Sequence, residues 1–227
     1  MAKFTSAVAV VLPFLVLAFV PPHVMAADED PLQDFCVADL AKANTTINGF
    51  VCKNPNQVYA SDFKSDFLSK PGMINPKLGS AVTLANVINF TALNTQGLSM
   101  ARIDFAPNGL NPPHVHPRAT ELLFLVEGTL LVGFVDTNNV LFQQTLHAGD
   151  LFVFPRGLVH FQLNVDAKKP ALSISALNSQ NPGASQVAVA VFAAKPPISE
   201  EVLEITFGIG KDEVDNLMNN VKKIAAA

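Results

Sequence analysis

Apolar and polar positions along residues 98–177 alternate over short runs: "LSMARIDFAP", "ELLFLVEGTLLVGFVD", "VLFQQTL", "DLFVFP", "HFQLNVD" and "ALSISAL", with "VAVAVF" following. Runs of this length and period, rich in Val, Ile, Leu and Phe, predict β-strands with one face buried. Turn clusters punctuate them, most clearly "DTNN" at Asp136–Asn139, "HAGD" at His147–Asp150 and "PRG" at Pro155–Gly157. No helical pattern is interleaved, so about seven short strands predict an all-β fold, an antiparallel sandwich or barrel rather than a parallel α/β sheet. The period changes near the end: in "KDEVDNLMNNVKKIAAA" the apolar Val214, Leu217, Met218, Val221 and Ile224 recur at three- and four-residue steps, with acids leading and lysines trailing. That pattern predicts a terminal helix with one packing face, oriented as the helix dipole favours.

The chain divides by composition. Residues 1–26 carry one early cation, Lys3, and an apolar run from about Ala7 to Val20, with small residues Ala26 and Ala27 at the boundary, the layout of a secretory signal peptide. The uninterrupted apolar run of roughly 14 residues contains Pro13 and falls short of the ~20 that a spanning helix needs, which argues against a membrane anchor. Residues 27–70 form an expected N-terminal extension, 71–195 the β-barrel and 196–227 a C-terminal helical region. In all, 227 residues of which 49% are hydrophobic and 15% charged suffice for one substantial core. A net charge of −4 with scattered Lys and Arg excludes a nucleic-acid footprint.

Secretion changes how the rarer residues read. The two cysteines, Cys36 and Cys52, are expected to pair, closing a loop of about 15 residues worth on the order of 3 kcal/mol. Two sequons, "NTT" at Asn44 and "NFT" at Asn89, become candidate glycosylation sites in exposed loops.

Candidate chemistry gathers in two stretches, "NPPHVHPRATELLFLVEG" and "GDLFVFPRGLVHFQLN". Side chains two apart on a strand share a face, so His114 and His116 can reach one ion, while Pro117 breaks the strand before Glu121. If the strands face each other, His160 completes three imidazoles and a carboxylate; His147 is expected in solvent, and His23 belongs to the leader. By ligand type this set suits Mn, Fe, Ni, Cu or Zn, and four protein ligands on a six-coordinate ion leave places for solvent or substrate. The alternative is a hydrogen-bonded core network without a metal, which would bury a carboxylate with no cation beside it. Gln162, two residues after His160, shares its face and either hydrogen-bonds a metal-bound solvent or contacts only its neighbours.

These two stretches resemble the paired motifs of the cupin superfamily, and specifically of germins and germin-like proteins, through His114, His116, Glu121 and Gly128, then Gly149, Pro155, Gly157, His160 and Asn164. The likeness extends to "DPLQDFCVADL", "GLSMARIDFAPNGLNPPH" and "NSQNPG". One departure is Asn108, where the family pattern usually has glycine, with Gly109 following. The resemblance implies a jelly-roll barrel, manganese as cofactor, a homohexamer built as a trimer of dimers, and residence in the apoplast or cell wall. It implies superoxide dismutase activity on a small anionic oxygen species, with two other readings open: oxalate oxidase, and a non-enzymatic binding, storage or wall-structural cupin. By the same resemblance Asn111 matches one of two asparagines that contact oxalate in the oxalate-oxidising germins, and Ala101 replaces the other. Loss of that donor argues against oxalate.

Overall fold

The computed structural model describes residues 35–42 and 49–226. The expected leader and Asn44 lie outside the described residues. Ten strands form two five-stranded antiparallel sheets: β1 (Ser80–Ala85), β2 (Ser99–Phe105), β9 (Ala171–Leu177), β4 (Glu121–Glu127) and β7 (Leu151–Phe154) in that order, and β10 (Ser185–Gln186), β3 (Leu110–Val115), β8 (Val159–Asn164), β5 (Thr129–Val135) and β6 (Leu141–His147) in the other. This is the expected all-β jelly-roll, and the alternation of the sequence is its physical basis. In β4, Glu121, Leu123 and Leu125 are buried while Leu122, Phe124 and Val126 are exposed. The core between the sheets is made by Ile103, Phe105, Leu123, Leu125, Leu130, Val132 and Phe154. Such side chains contribute roughly 1.5–3 kcal/mol each when fully buried.

The apolar stretch "ELLFLVEGTLLVGFVD", continuous in sequence, is two strands in different sheets. Gly128 turns the corner with φ +92°, and a Cβ there would sit 2.6 Å from the Cβ of Ala171. A side chain at this position would therefore be strained by the backbone and blocked by β9. Asn108 adopts φ +57°, so the residue standing where the family pattern has glycine takes up the left-handed conformation that asparagine tolerates better than most.

Two expectations need correction. "VAVAVF" is helical, α1 (Val187–Phe192), despite its strand-like alternation. Only Ser185 and Gln186 pair with β3, and beyond them Val191 and Phe192 gain more by packing against the helical cluster of Leu203, Val214 and Met218, a case of tertiary contacts overriding a short local pattern. In addition, β1 is a strand outside the runs that the alternation marks; its pairing with β2 supplies the sheet edge.

The C-terminal helices are α2 (Glu200–Phe207) and α3 (Lys211–Ala225). The predicted stripe is real but narrower: Val214, Met218 and Val221 are buried, whereas Leu217 is exposed. At the N-terminal end Cys36 and Cys52 form the expected disulfide. Asn94, fully buried, ties that segment to the barrel: its Nδ2 donates to Phe50 O and its Oδ1 accepts from Phe50 N, at 2.9 and 3.0 Å. No helix among the described residues is long and apolar enough to cross a membrane.

Candidate metal centre

The site begins with two prolines. Pro112 and Pro113 have no N–H to give to the β3–β8 ladder, and the register slips between Asn111 and His114. The slip lets the Nδ1–H of His114 donate to Pro112 O at 2.8 Å. His160 does the same with Leu158 O at 2.9 Å, and His116 Nδ1 donates to Gly183 O at 2.5 Å. A carbonyl can only accept, so all three rings carry their proton on Nδ1 in the neutral state and present Nε2 as a free lone pair.

The topology brings these lone pairs together. His114 and His160 are opposite each other across β3 and β8, with ring centroids 4.1 Å apart. His116 lies one residue beyond β3 and keeps the inward face of His114. Glu121 enters from the other sheet, as the first residue of β4, after the turn that starts at Pro117. Its Oε2 lies 2.9 Å from His116 Nε2 and 3.3 Å from His160 Nε2. One candidate ligand atom from each of His114, His116, Glu121 and His160 falls within 4.8 Å of all the others. The site is thus held between the two sheets, against the core: the rings of Phe154 and His160 stack at 4.5 Å.

Electrostatics follow from burial. Desolvation, aided by the neighbouring His160 charge, pushes the pKa of His114 down to about 4, which keeps it neutral at ordinary pH. Burial raises that of Glu121, but hydrogen bonds from His116 and His160 and their charge outweigh it and hold the carboxyl well below its usual range. Burial likewise opposes protonation of His116, yet its hydrogen bonds to Glu121 and Gly183 win and raise its pKa. An anionic carboxylate that draws a proton onto a buried imidazole is a centre short of a cation. A divalent ion would supply that charge at the same place, and the mixed N/O donor set fits Mn as well as Fe, Ni, Cu or Zn.

Around the cluster is a cavity of about 130 Å³ whose walls are mainly apolar, including Val82, Leu84, Ala101, Ile103 and Leu177, with Asn111 and Gln186 its neutral polar groups. Asn111 and Gln162 are paired across β3 and β8, both buried, and Asn111 Nδ2 donates to Gln162 Oε1 at 2.7 Å. That bond leaves Gln162 Nε2 buried with no hydrogen-bond partner among the described residues. A buried donor of this kind is costly unless something outside the chain accepts from it. His147 ends β6 in solvent, apart from the cluster. Asn89 is exposed in a loop after β1, where its Nδ2 donates to Leu84 O.

Sequence reasoning did not single out Ser175, whose Oγ donates to Glu121 Oε1 at 2.7 Å in the buried interior. A signal was present: in "ALSISAL" the face that carries Ala171 and Leu177 also carries Ser173 and Ser175, hydroxyls on an otherwise apolar inward stripe. The carbonyls of Pro112, Leu158 and Gly183 left no such signal, since any residue supplies one.

A family model described as Cupin matches residues 67–215. The chain is 55% identical over 196 residues to germin-like protein 8-2 of Oryza sativa subsp. japonica, covering 85% of this chain and 88% of that one. It is 52% identical over 194 residues to germin-like protein subfamily 2 member 4 of Arabidopsis thaliana, with 86% and 88% covered. Among solved structures it is similar to an oxalate oxidase, at a TM-score of 0.82 and 43% identity over 86% of this chain and 98% of that one. It is also similar to peruvianin-I, described as a cysteine peptidase from Thevetia peruviana latex, at a TM-score of 0.67 and 40% identity over 71% and 98%. Both cysteines of the present chain are tied up in the disulfide, so it offers no thiol for that chemistry.

Proposed function

The chain belongs to the germin-like proteins of the cupin family, and from that premise we propose that it is a secreted manganese protein that dismutates superoxide to hydrogen peroxide and dioxygen. The observation that carries this reading is the convergence of three imidazole Nε2 atoms and one carboxylate oxygen beside a small, mostly apolar cavity. His114, His116, Glu121 and His160 would hold the ion. Bound manganese would supply a one-electron couple, so that two superoxide anions and two protons give one dioxygen and one hydrogen peroxide.

The chain's own residues do the rest. The backbone carbonyls of Pro112, Leu158 and Gly183 fix each imidazole in the tautomer that ligation needs. Asn111 holds the Gln162 amide by its oxygen, which leaves the Gln162 N–H to hydrogen-bond solvent or a small oxygen species at the centre. The cavity walls are mainly apolar, and a single carboxylate against a divalent ion leaves net positive charge to draw in an anion.

Oxalate oxidation is the second reading, favoured by likeness to an oxalate oxidase and by Asn111 in the cavity wall. Against it stands Ala101, a methyl group in the same wall where a dicarboxylate would need a donor. A manganese-loaded preparation assayed for both reactions separates them: the proposal expects dismutation without oxalate turnover, and oxalate turnover without dismutation would replace it. Neither activity would favour a non-enzymatic binding, storage or wall-structural role.

Secretion to the apoplast or cell wall after loss of residues 1–26, with glycans at Asn44 and Asn89, belongs to the same proposal, as does a hexamer arranged as a trimer of dimers. Its physical motive is the apolar surface left on one chain. Leu122 and Phe124 on β4 and Leu151 and Val153 on β7 are 41–60% exposed, and Val202, Ile205 and Leu217 point outward from the helices.

A further inference from the structure

The two oxygens of Glu121 are used differently. Oε2 faces the Nε2 atoms of His116 and His160, at 2.9 and 3.3 Å. Oε1 accepts the hydroxyl of Ser175 at 2.7 Å. Ser175 comes from β9, fully buried, and its partners across the ladders are Ala101 on β2 and Leu123 on β4, neither of which offers its side chain a polar atom. Ser173, on the same face and equally buried, has an Oγ with no hydrogen-bond partner among the described residues. The strand's inward surroundings are therefore not generally polar, and the hydroxyl at position 175 has a specific acceptor.

Building on the metal-binding reading above, we infer that Ser175 is a positioning residue that occupies Oε1, so that Glu121 offers a cation one oxygen and not two. The physical reason is competition. A carboxylate can chelate through both oxygens, and a buried oxygen deprived of its donor turns to the nearest positive charge. A strong hydrogen bond on Oε1 removes that option and keeps one more coordination place for solvent or substrate. Ser175 touches neither substrate nor ion; it acts through Glu121.

The test is Ser175→Ala, with Ser175→Thr as the conservative partner, in protein brought to full manganese loading as measured by elemental analysis. Two readouts are taken besides activity: the Mn(II) electron paramagnetic resonance spectrum and the inner-sphere water contribution to solvent proton relaxation. The expected result for S175A is retained manganese, an altered zero-field splitting and a water contribution reduced by about half, as expected when one of two open positions closes. S175T, which keeps the hydroxyl, should match the wild type. If S175A folds poorly, Ser175→Cys, of similar volume but with only a weak donor, carries the same expectation. An S175A protein with an unchanged spectrum and unchanged water contribution overturns the inference while leaving the metal site intact. A wild-type protein that binds no manganese overturns the site assignment itself, and this inference with it.

Discussion

Oε2 of Glu121 lies 2.9 Å from Nε2 of His116, although the two residues stand on opposite sides of a turn and at the ends of strands in different sheets. The contact joins the sheets at the point where the three imidazoles converge. Neither side chain could reach the other had the strand run straight through Pro117, so the turn is as much a part of the site as the ligands are.

Removal of either partner should empty the site. His116→Ala deletes a nitrogen donor, and Glu121→Gln removes the charge that makes a cation favourable in a buried place. Both variants are expected to lose manganese, with dismutase activity lost in parallel, while circular dichroism stays that of a β-protein. Elemental analysis after dialysis checks this, and full manganese retention in either variant would contradict the ligand set.

Much of this centre can be read along the chain. His114 and His116 share a face because strand side chains alternate, and Gln162 shares one with His160 for the same reason. What local pattern does not carry is which strands become neighbours. That His160 meets His114 rather than His147 depends on β8 lying between β3 and β5, and that Glu121 faces them depends on the second sheet. "VAVAVF" misled because a short run of Val and Ala ending in Phe192 fits either a strand or a helix, and the deciding contacts, with Leu203, Val214 and Met218, come from residues later in the chain. Ser175 was legible as an inward hydroxyl, but its partner was not.

Specificity should respond to one methyl group. Ala101 is buried in the cavity wall with Asn111, His114 and Glu121. Ala101→Asn adds a donor facing an anion and is expected to raise oxalate turnover by at least ~10-fold, the factor that one added hydrogen bond of roughly 1.5 kcal/mol to a charged group would give. Steady-state peroxide production from oxalate measures it; no gain would remove the support for this position as a gate.

Acid and base should both weaken the metal-stripped protein. The pKa of His114 falls from 6.5 to about 4 on folding, so the unfolded chain binds more protons between those values and stability drops as pH falls through that window. Glu121, lowered from 4.5, adds to the loss on further acidification. His116 is raised above 6.5, so its contribution is complete below 6.5 and disappears as pH rises through its folded value. Denaturant melts of stripped protein should therefore show greatest stability near pH 6.5. Manganese, taking the place of the His116 proton, should restore the alkaline side.

The N-terminal segment should be held chiefly by its covalent link and by Asn94. Replacing both cysteines with serine is expected to cost about 2–5 kcal/mol and lower the melting temperature, with the metal content of the folded protein unchanged because the cluster is on other elements. Loss of manganese from that folded variant would show a coupling between the two regions that the packing does not predict.

Dismutation rate measured against bound manganese tests whether His114, His116, Glu121 and His160 hold manganese for superoxide chemistry. Preparations of the protein loaded to different extents should give rates that rise in proportion to manganese content and vanish with its removal. Stoichiometric manganese with no dismutation at any loading would contradict that role for the site.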